Sequence, residues 1–134
     1  MTYATETSNK EIVTAFIELF WNQSNWSCLE TYLSDDYKEL SYQSKEGLVR
    51  FAKMILEAFP DKQYTLEKMT AQENQVLVRM TVKGTQQGIF FGSPPTGKAI
   101  DITLYRQYRI ADGKIAEHRG WIDMVTMKRQ LQVE

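Results

Sequence analysis

Ile100-Asp-Ile-Thr-Leu-Tyr-Arg-Gln-Tyr-Arg-Ile110, Ala111-Asp-Gly-Lys114 and Ile115-Ala-Glu-His-Arg-Gly-Trp-Ile-Asp123 read together as two strands joined by a tight turn. Apolar residues alternate at Ile100, Ile102, Leu104, Tyr108 and Ile110, with Arg106 interrupting. Asp112-Gly113 suits the positive φ that a two-residue hairpin turn requires. Pairing Ile110 with Ile115 sets Tyr108 opposite Glu117, Arg106 opposite Arg119, Leu104 opposite Trp121 and Ile102 opposite Asp123. Directly opposed residues share a sheet face. This register therefore collects Ile102, Leu104, Ile110, Ile115 and Trp121 on an inner face, together with the charges of Arg106, Glu117, Arg119 and Asp123. Gln107 with His118, and Tyr105 with Gly120, fall on the outer face. A one-residue slip reverses every one of these assignments.

The same period of two runs through Val76, Val78, Met80 and Val82. Between the two strand regions, Gly88, Gly92, Pro94, Pro95 and Gly97 mark one irregular excursion from Gly88 to Gly97. The N-terminal third has helical spacing instead. Val13, Phe16, Ile17 and Phe20 share one face, with Thr7 or Ser8 as N-cap and Asn22-Gln23-Ser24-Asn25 as the end. A short helix fits Ser27 to Leu33. Leu48, Phe51, Ile55 and Phe59 mark a third helix that starts at Ser44 and is stopped by Pro60. Helices followed by a run of antiparallel strands predict an α+β fold, a cone-shaped curved sheet wrapped around the N-terminal helices and enclosing an apolar cavity. At 134 residues the chain, 1–134, reads as one domain.

Composition narrows the function classes. Lys plus Arg is 16 and Asp plus Glu is 17, with the basic residues scattered, which argues against a nucleic-acid module. One cysteine and one histidine leave too few soft ligands for a zinc site of the usual kind, while a carboxylate-bound magnesium or calcium ion stays open. No apolar run approaches the ~20 residues that span a bilayer, and no secretory signal is read near the start. The expectation is a cytoplasmic protein with a small-molecule partner and no nucleic-acid or membrane partner.

Charges on a mostly apolar face need partners. Pairing among Arg106, Glu117, Arg119 and Asp123 is one explanation, and a cavity that aims them at a ligand is the other. A carboxyl beyond Trp121 would be tuned upward by burial and downward by Arg119. His118, the only histidine, falls on the outer face as a surface or interface residue. Cys28 reads as a small core residue. Gln86 shares the inward parity of Val76 to Val82, and either satisfies itself or orients a ligand carbonyl.

Glu57-Ala-Phe-Pro-Asp61, Gly84-Thr-Gln-Gln-Gly88, Gly92-Ser-Pro-Pro-Thr-Gly-Lys98 and Arg109-Ile-Ala-Asp-Gly-Lys-Ile-Ala-Glu-His118 resemble the SnoaL-like polyketide cyclases, as do Trp21-Asn22 and Asp36-Tyr37 near the start. The resemblance covers nearly the whole chain. It implies the nuclear transport factor two-like fold, shared with ketosteroid isomerase and scytalone dehydratase. It also implies ring closure by intramolecular aldol chemistry without metal or cofactor. The family's acid–base aspartate falls on Asp123. The family often has Trp where this chain has Arg119, and His where it has Gln86; Leu40 stands near another frequent histidine.

The expected site is thus Asp123 as catalytic residue, with Gln86, Arg106 or Arg119 stabilising an enolate oxygen and Trp121 and Phe20 as apolar walls. A non-catalytic small-molecule-binding module of the same fold is the alternative. Arginines facing each other across the hairpin would favour a carboxylate-bearing or enolisable acidic ligand, unless both lie in solvent at the rim. The outer face, with Tyr105, Gln107 and His118, is expected to form a homodimer.

Overall fold

The structure, a computed structural model, describes residues 3–132. Helix α1 (Tyr3–Phe16) runs on into a π-helical turn, Ile17–Asn22. Its buried face presents Val13, Phe16, Ile17 and Phe20, the set the 3.6-residue spacing marks. The helix starts before Thr7 and Ser8, so these lie within it and do not cap it. A 3₁₀ turn (Trp26–Cys28) leads into the one-turn helix α2 (Leu29–Tyr32), and strand β1 (Leu33–Glu39) follows. Helix α3 (Lys45–Ala58) begins where the sequence places it, with the Ser44 hydroxyl accepting from the Gly47 N–H at 3.0 Å. It stops before Pro60, whose ring disfavours helical geometry at the residue ahead of it.

Strands β2 (Gln63–Gln72), β3 (Gln75–Thr85), β4 (Ala99–Ala111) and β5 (Lys114–Ile122) form an antiparallel meander. β1 adds to its far edge in the order β1-β5-β4-β3-β2. β1 runs parallel to β5, so the five-stranded sheet is mixed, where a purely antiparallel one was expected. Both features come from one strand whose polar sequence, Ser34-Asp-Asp-Tyr-Lys-Glu39, hides it. The helices pack on one face of the sheet. Helix α4 (Met124–Leu131), which strand patterning does not reveal, closes the chain against β4: Gln130 accepts from the Asp101 N–H and donates to its carbonyl.

The last hairpin holds the decisive difference. Asp112 and Gly113 adopt φ of 51° and 75°, the turn expected, and Ile110 pairs with Ile115 as expected. A bulge then intervenes: Ile115 and Ala116 are both buried, and Arg109 pairs with Glu117. Beyond it every partner shifts by one. Tyr108 faces His118, Arg106 faces Gly120, Tyr105 faces Trp121 and Leu104 faces Ile122. His118 consequently points into the core. Arg119 and Trp121 point out, and the arginines do not face each other.

Candidate functional site

Arg106 is fully buried on the inner face of β4. Gly120 across the ladder makes room for it, since a Cβ there would lie 2.8 Å from Arg106 Nη1. The guanidinium carbon stacks 3.8 Å from the centroid of the Trp21 ring, a cation–π contact in a dry setting. Trp21 in turn is held by Phe20 (4.9 Å, edge-on) and Phe20 by Phe16 (5.2 Å, stacked). The π-helical turn thus delivers the aromatic plane on which the cation rests.

From Arg106 a polar chain runs to the far edge of the sheet. Nη1 lies 3.2 Å from His118 Nε2 and 3.4 Å from the Tyr42 hydroxyl. His118 Nδ1 lies 2.8 Å from Glu39 Oε1. Glu39 also accepts from the Tyr37 hydroxyl at 2.5 Å and from the N–H groups of Ser41 and Tyr42 at 3.0 and 3.1 Å. Parallel pairing of β1 with β5 sets Glu39 beside His118. The Ser41 hydroxyl ties down the next residues, accepting from the Gly120 N–H and donating to its carbonyl.

Burial pushes the Glu39 carboxyl up, but the hydrogen bond from His118, with donors from Tyr37 and Ser41, outweighs it and holds the group below its usual value. Burial and the charge of Arg106 push His118 down against the pull of Glu39. The consistent assignment is a carboxylate and a neutral imidazole that donates from Nδ1 and accepts at Nε2. Glu39, His118 and Arg106 then sum to zero charge, which is how the interior tolerates them.

The array is incompletely satisfied. Arg106 Nε and Nη2, Trp21 Nε1 and the Tyr108 hydroxyl have no hydrogen-bond partner among the described residues. Burial pushes the Tyr108 hydroxyl up to about 12, with Arg106 opposing, so it remains a phenol. The expected open cavity is instead filled by Phe16, Phe20, Trp21 and Tyr108. On the other side of the stacked Tyr42 and Phe51 rings (4.4 Å) lies a cleft of about 390 Å³ lined by Ser41, Gly47, Arg50 and Met54.

The other expected site residues lie elsewhere. Asp123 is exposed and caps α4, accepting from the Thr126 N–H and hydroxyl, which hold its carboxyl below the usual range. It does not sit in an apolar pocket beyond Trp121, because the bulge turns that strand over. Trp121 is 47% exposed on the outer face. Arg119 is exposed opposite Gln107 and shares a small cleft with Arg109 and Glu117. Gln86 is buried but satisfied. Its amide donates to the Gly88, Ser93 and Pro94 carbonyls and accepts from the Thr96 hydroxyl, so it organises the Gly88–Gly97 excursion. Phe20 backs Trp21 from within the core. Cys28 is buried, its thiol pushed up to about 11 by burial, as suits a packing residue. Of the expected set, Arg106 and Phe20 each pack against Trp21. The sequence reading misses Glu39, Tyr42 and the inward turn of His118.

The description SnoaL-like polyketide cyclase belongs to the family whose sequence model matches residues 11–131. Aklanonic acid methyl ester cyclase DnrD of Streptomyces peucetius is 37% identical over 68 residues, 49% of this chain and 47% of DnrD, so the match spans about half of that relative. Nogalonic acid methyl ester cyclase of Streptomyces nogalater is 27% identical over 118 residues, 83% of this chain and 88% of that protein. Among solved structures, AclR from Streptomyces galilaeus superposes with a TM-score of 0.86 at 30% identity, over 95% of this chain and 82% of that one.

Proposed function

Because the chain belongs to the SnoaL-like polyketide cyclase family, we propose that it carries out cofactor-independent acid–base chemistry, aldol ring closure or isomerisation, on a small carbonyl compound. The observation that carries this reading is the buried Arg106 with two unfilled N–H donors beside a neutral histidine. Such donors, fixed in a low-dielectric site, favour the charge of an enolate over that of its parent ketone. His118 Nε2 receives the proton removed beside the carbonyl, Glu39 steadies the resulting imidazolium, and the same proton returns to the product. Tyr42 and Phe51 separate this array from the outer cleft, and their displacement admits the substrate. Asp123 is the competing base, supported by the family resemblance.

The relatives' names supply the first substrate to try. Nogalonic acid methyl ester, incubated with the protein and no added metal or cofactor, should give a product of unchanged mass and altered retention, because an intramolecular aldol addition loses no atoms. His118→Gln is expected to lower kcat about 10²–10⁴-fold, while Asp123→Asn leaves it near wild type. Loss in Asp123→Asn with an active His118→Gln returns the proton transfer to Asp123. Binding without turnover in the wild type favours the alternative, a non-catalytic small-molecule-binding module of the same fold.

We further propose a homodimer through the outer sheet face. His118 is not part of that face, but Leu77, Tyr105 and Trp121 are exposed there, with Tyr105 directly opposite Trp121. Exposed aromatic surface of this kind is what a two-fold contact buries. Sedimentation should give twice the chain mass at micromolar concentration, and Trp121→Glu should give the monomer. A monomeric wild type overturns this assembly.

A further inference from the structure

The unfilled donors of Arg106 are a specific pair. Nη1 is engaged by His118 and Tyr42. Nε and Nη2, the two that lack partners, lie along one edge of the guanidinium plane. That edge presents two parallel N–H groups, the fork that a carboxylate fills with both oxygens. A fully buried guanidinium that leaves this fork empty forgoes two charge-assisted hydrogen bonds. Trp21 Nε1 and the Tyr108 hydroxyl approach each other nearby, and the Tyr64 hydroxyl interacts with the guanidinium itself. The walls are aromatic: Trp21 beneath the guanidinium, Tyr42 and Phe51 between it and the cleft.

We infer that the Nε–Nη2 edge of Arg106 is a binding site for the carboxylate of an aromatic acid, and that filling it draws a proton onto His118. The charge count requires the second part. Glu39, neutral His118 and Arg106 already sum to zero, so an added carboxylate leaves a buried negative charge that a proton on His118 cancels. The groups facing His118 permit it. Glu39 accepts from Nδ1 in either state, and the Tyr37 hydroxyl on β1 and the Tyr42 ring in the segment after it pack beside the pair. Arg106 and Tyr108 on β4 complete the shell. The inference shares the interior site of the cyclase reading, but it does not depend on turnover.

Benzoate and benzamide, nearly the same in shape and different in charge, are the probes. Calorimetry in two buffers of different ionisation enthalpy counts protons, and the single histidine of the chain gives one unambiguous imidazole signal by nitrogen NMR. Benzoate should bind at least tenfold more tightly than benzamide, with net proton uptake and a shift of the signal toward imidazolium. Its Kd should rise with pH, by up to about tenfold per pH unit between the free and bound titrations of His118. In Glu39→Gln the proton uptake should vanish. In Arg106→Met, which keeps an apolar stem against Trp21, the preference for benzoate should vanish. Equal affinity for the two probes, benzoate binding with His118 still neutral, or no benzoate binding at millimolar concentration in the wild type each overturns the inference. A protein that closes no ring yet takes up a proton with benzoate fails the cyclase reading and keeps this one; the reverse pattern does the opposite.

Discussion

Glu39→Ala is expected to lose about 3–5 kcal/mol of folding stability, the cost of removing one partner from a buried charge network. Its side chain is wholly shielded from solvent and accepts from the Tyr37 hydroxyl, the Ser41 and Tyr42 N–H groups and His118 Nδ1. Alanine leaves these donors unpaired in the interior and leaves Arg106 without its counter-charge. Urea unfolding, read as a fall in midpoint at constant slope, measures the loss. Glu39→Gln should lose less, because an amide oxygen still accepts while the charge is gone.

The wild type should also weaken in acid, in two stages. His118 is held below its ordinary value of 6.5, so the folded protein binds fewer protons there than the unfolded chain does. Its contribution is complete above about 6.5 and is lost as pH falls toward the folded value. Glu39, held below its ordinary 4.5, adds a second loss from that pH downward. In His118→Gln the first stage should disappear and the second should shrink, because the His118 hydrogen bond is the largest of the effects that hold Glu39 down. Stability that stays flat from neutral pH to about 5 in the wild type would contradict the neutral-histidine assignment.

Why Glu39 escapes a reading of the sequence is instructive. Within one strand the face is legible, and β3 and β4 bury the residues whose alternation marks them, Val76 to Val82 and Ile100 to Ile110. Ser44 and Pro60 likewise bound α3 by local chemistry. What alternation cannot supply is phase across a bulge. Ile115 and Ala116 are both small or apolar enough to be buried in succession, and no local preference announces that Ala116 adds one residue to its strand. That single residue exchanges His118 for Arg119 and Trp121 on the inner face. Glu39 is hidden for a second reason: its partner is 79 positions away and joins it by parallel pairing, which leaves no hairpin signal in either segment. Arg106 was visible because it interrupts a clean alternation in a strand whose phase is secure. The family's motifs point to Asp123, and in this chain the geometry of that residue is that of a helix cap.

Gly47→Ala should cost up to about 2 kcal/mol even though alanine is the better helix former. The substitution gains ~1 kcal/mol in intrinsic helix preference. Against this, a Cβ at Gly47 would sit 1.9 Å from the Tyr42 carbonyl oxygen and 3.1 Å from its carbon. These are backbone atoms, so no rotamer relieves the clash, and forcing extra volume into packed structure costs about 1–3 kcal/mol or more. The chain must give way at Tyr42, whose N–H binds Glu39, whose ring stacks on Phe51 and whose hydroxyl reaches Arg106. The damage is therefore directed at the interior array. Gly88→Ala is the control: its Cβ would meet the Glu57 carbonyl oxygen at 2.3 Å, a comparable backbone collision at the far end of α3. Both variants should unfold at lower urea, but only Gly47→Ala should move the His118 imidazole signal. Equal displacement of that signal in the two would mean that Tyr42 does not set the geometry around Arg106.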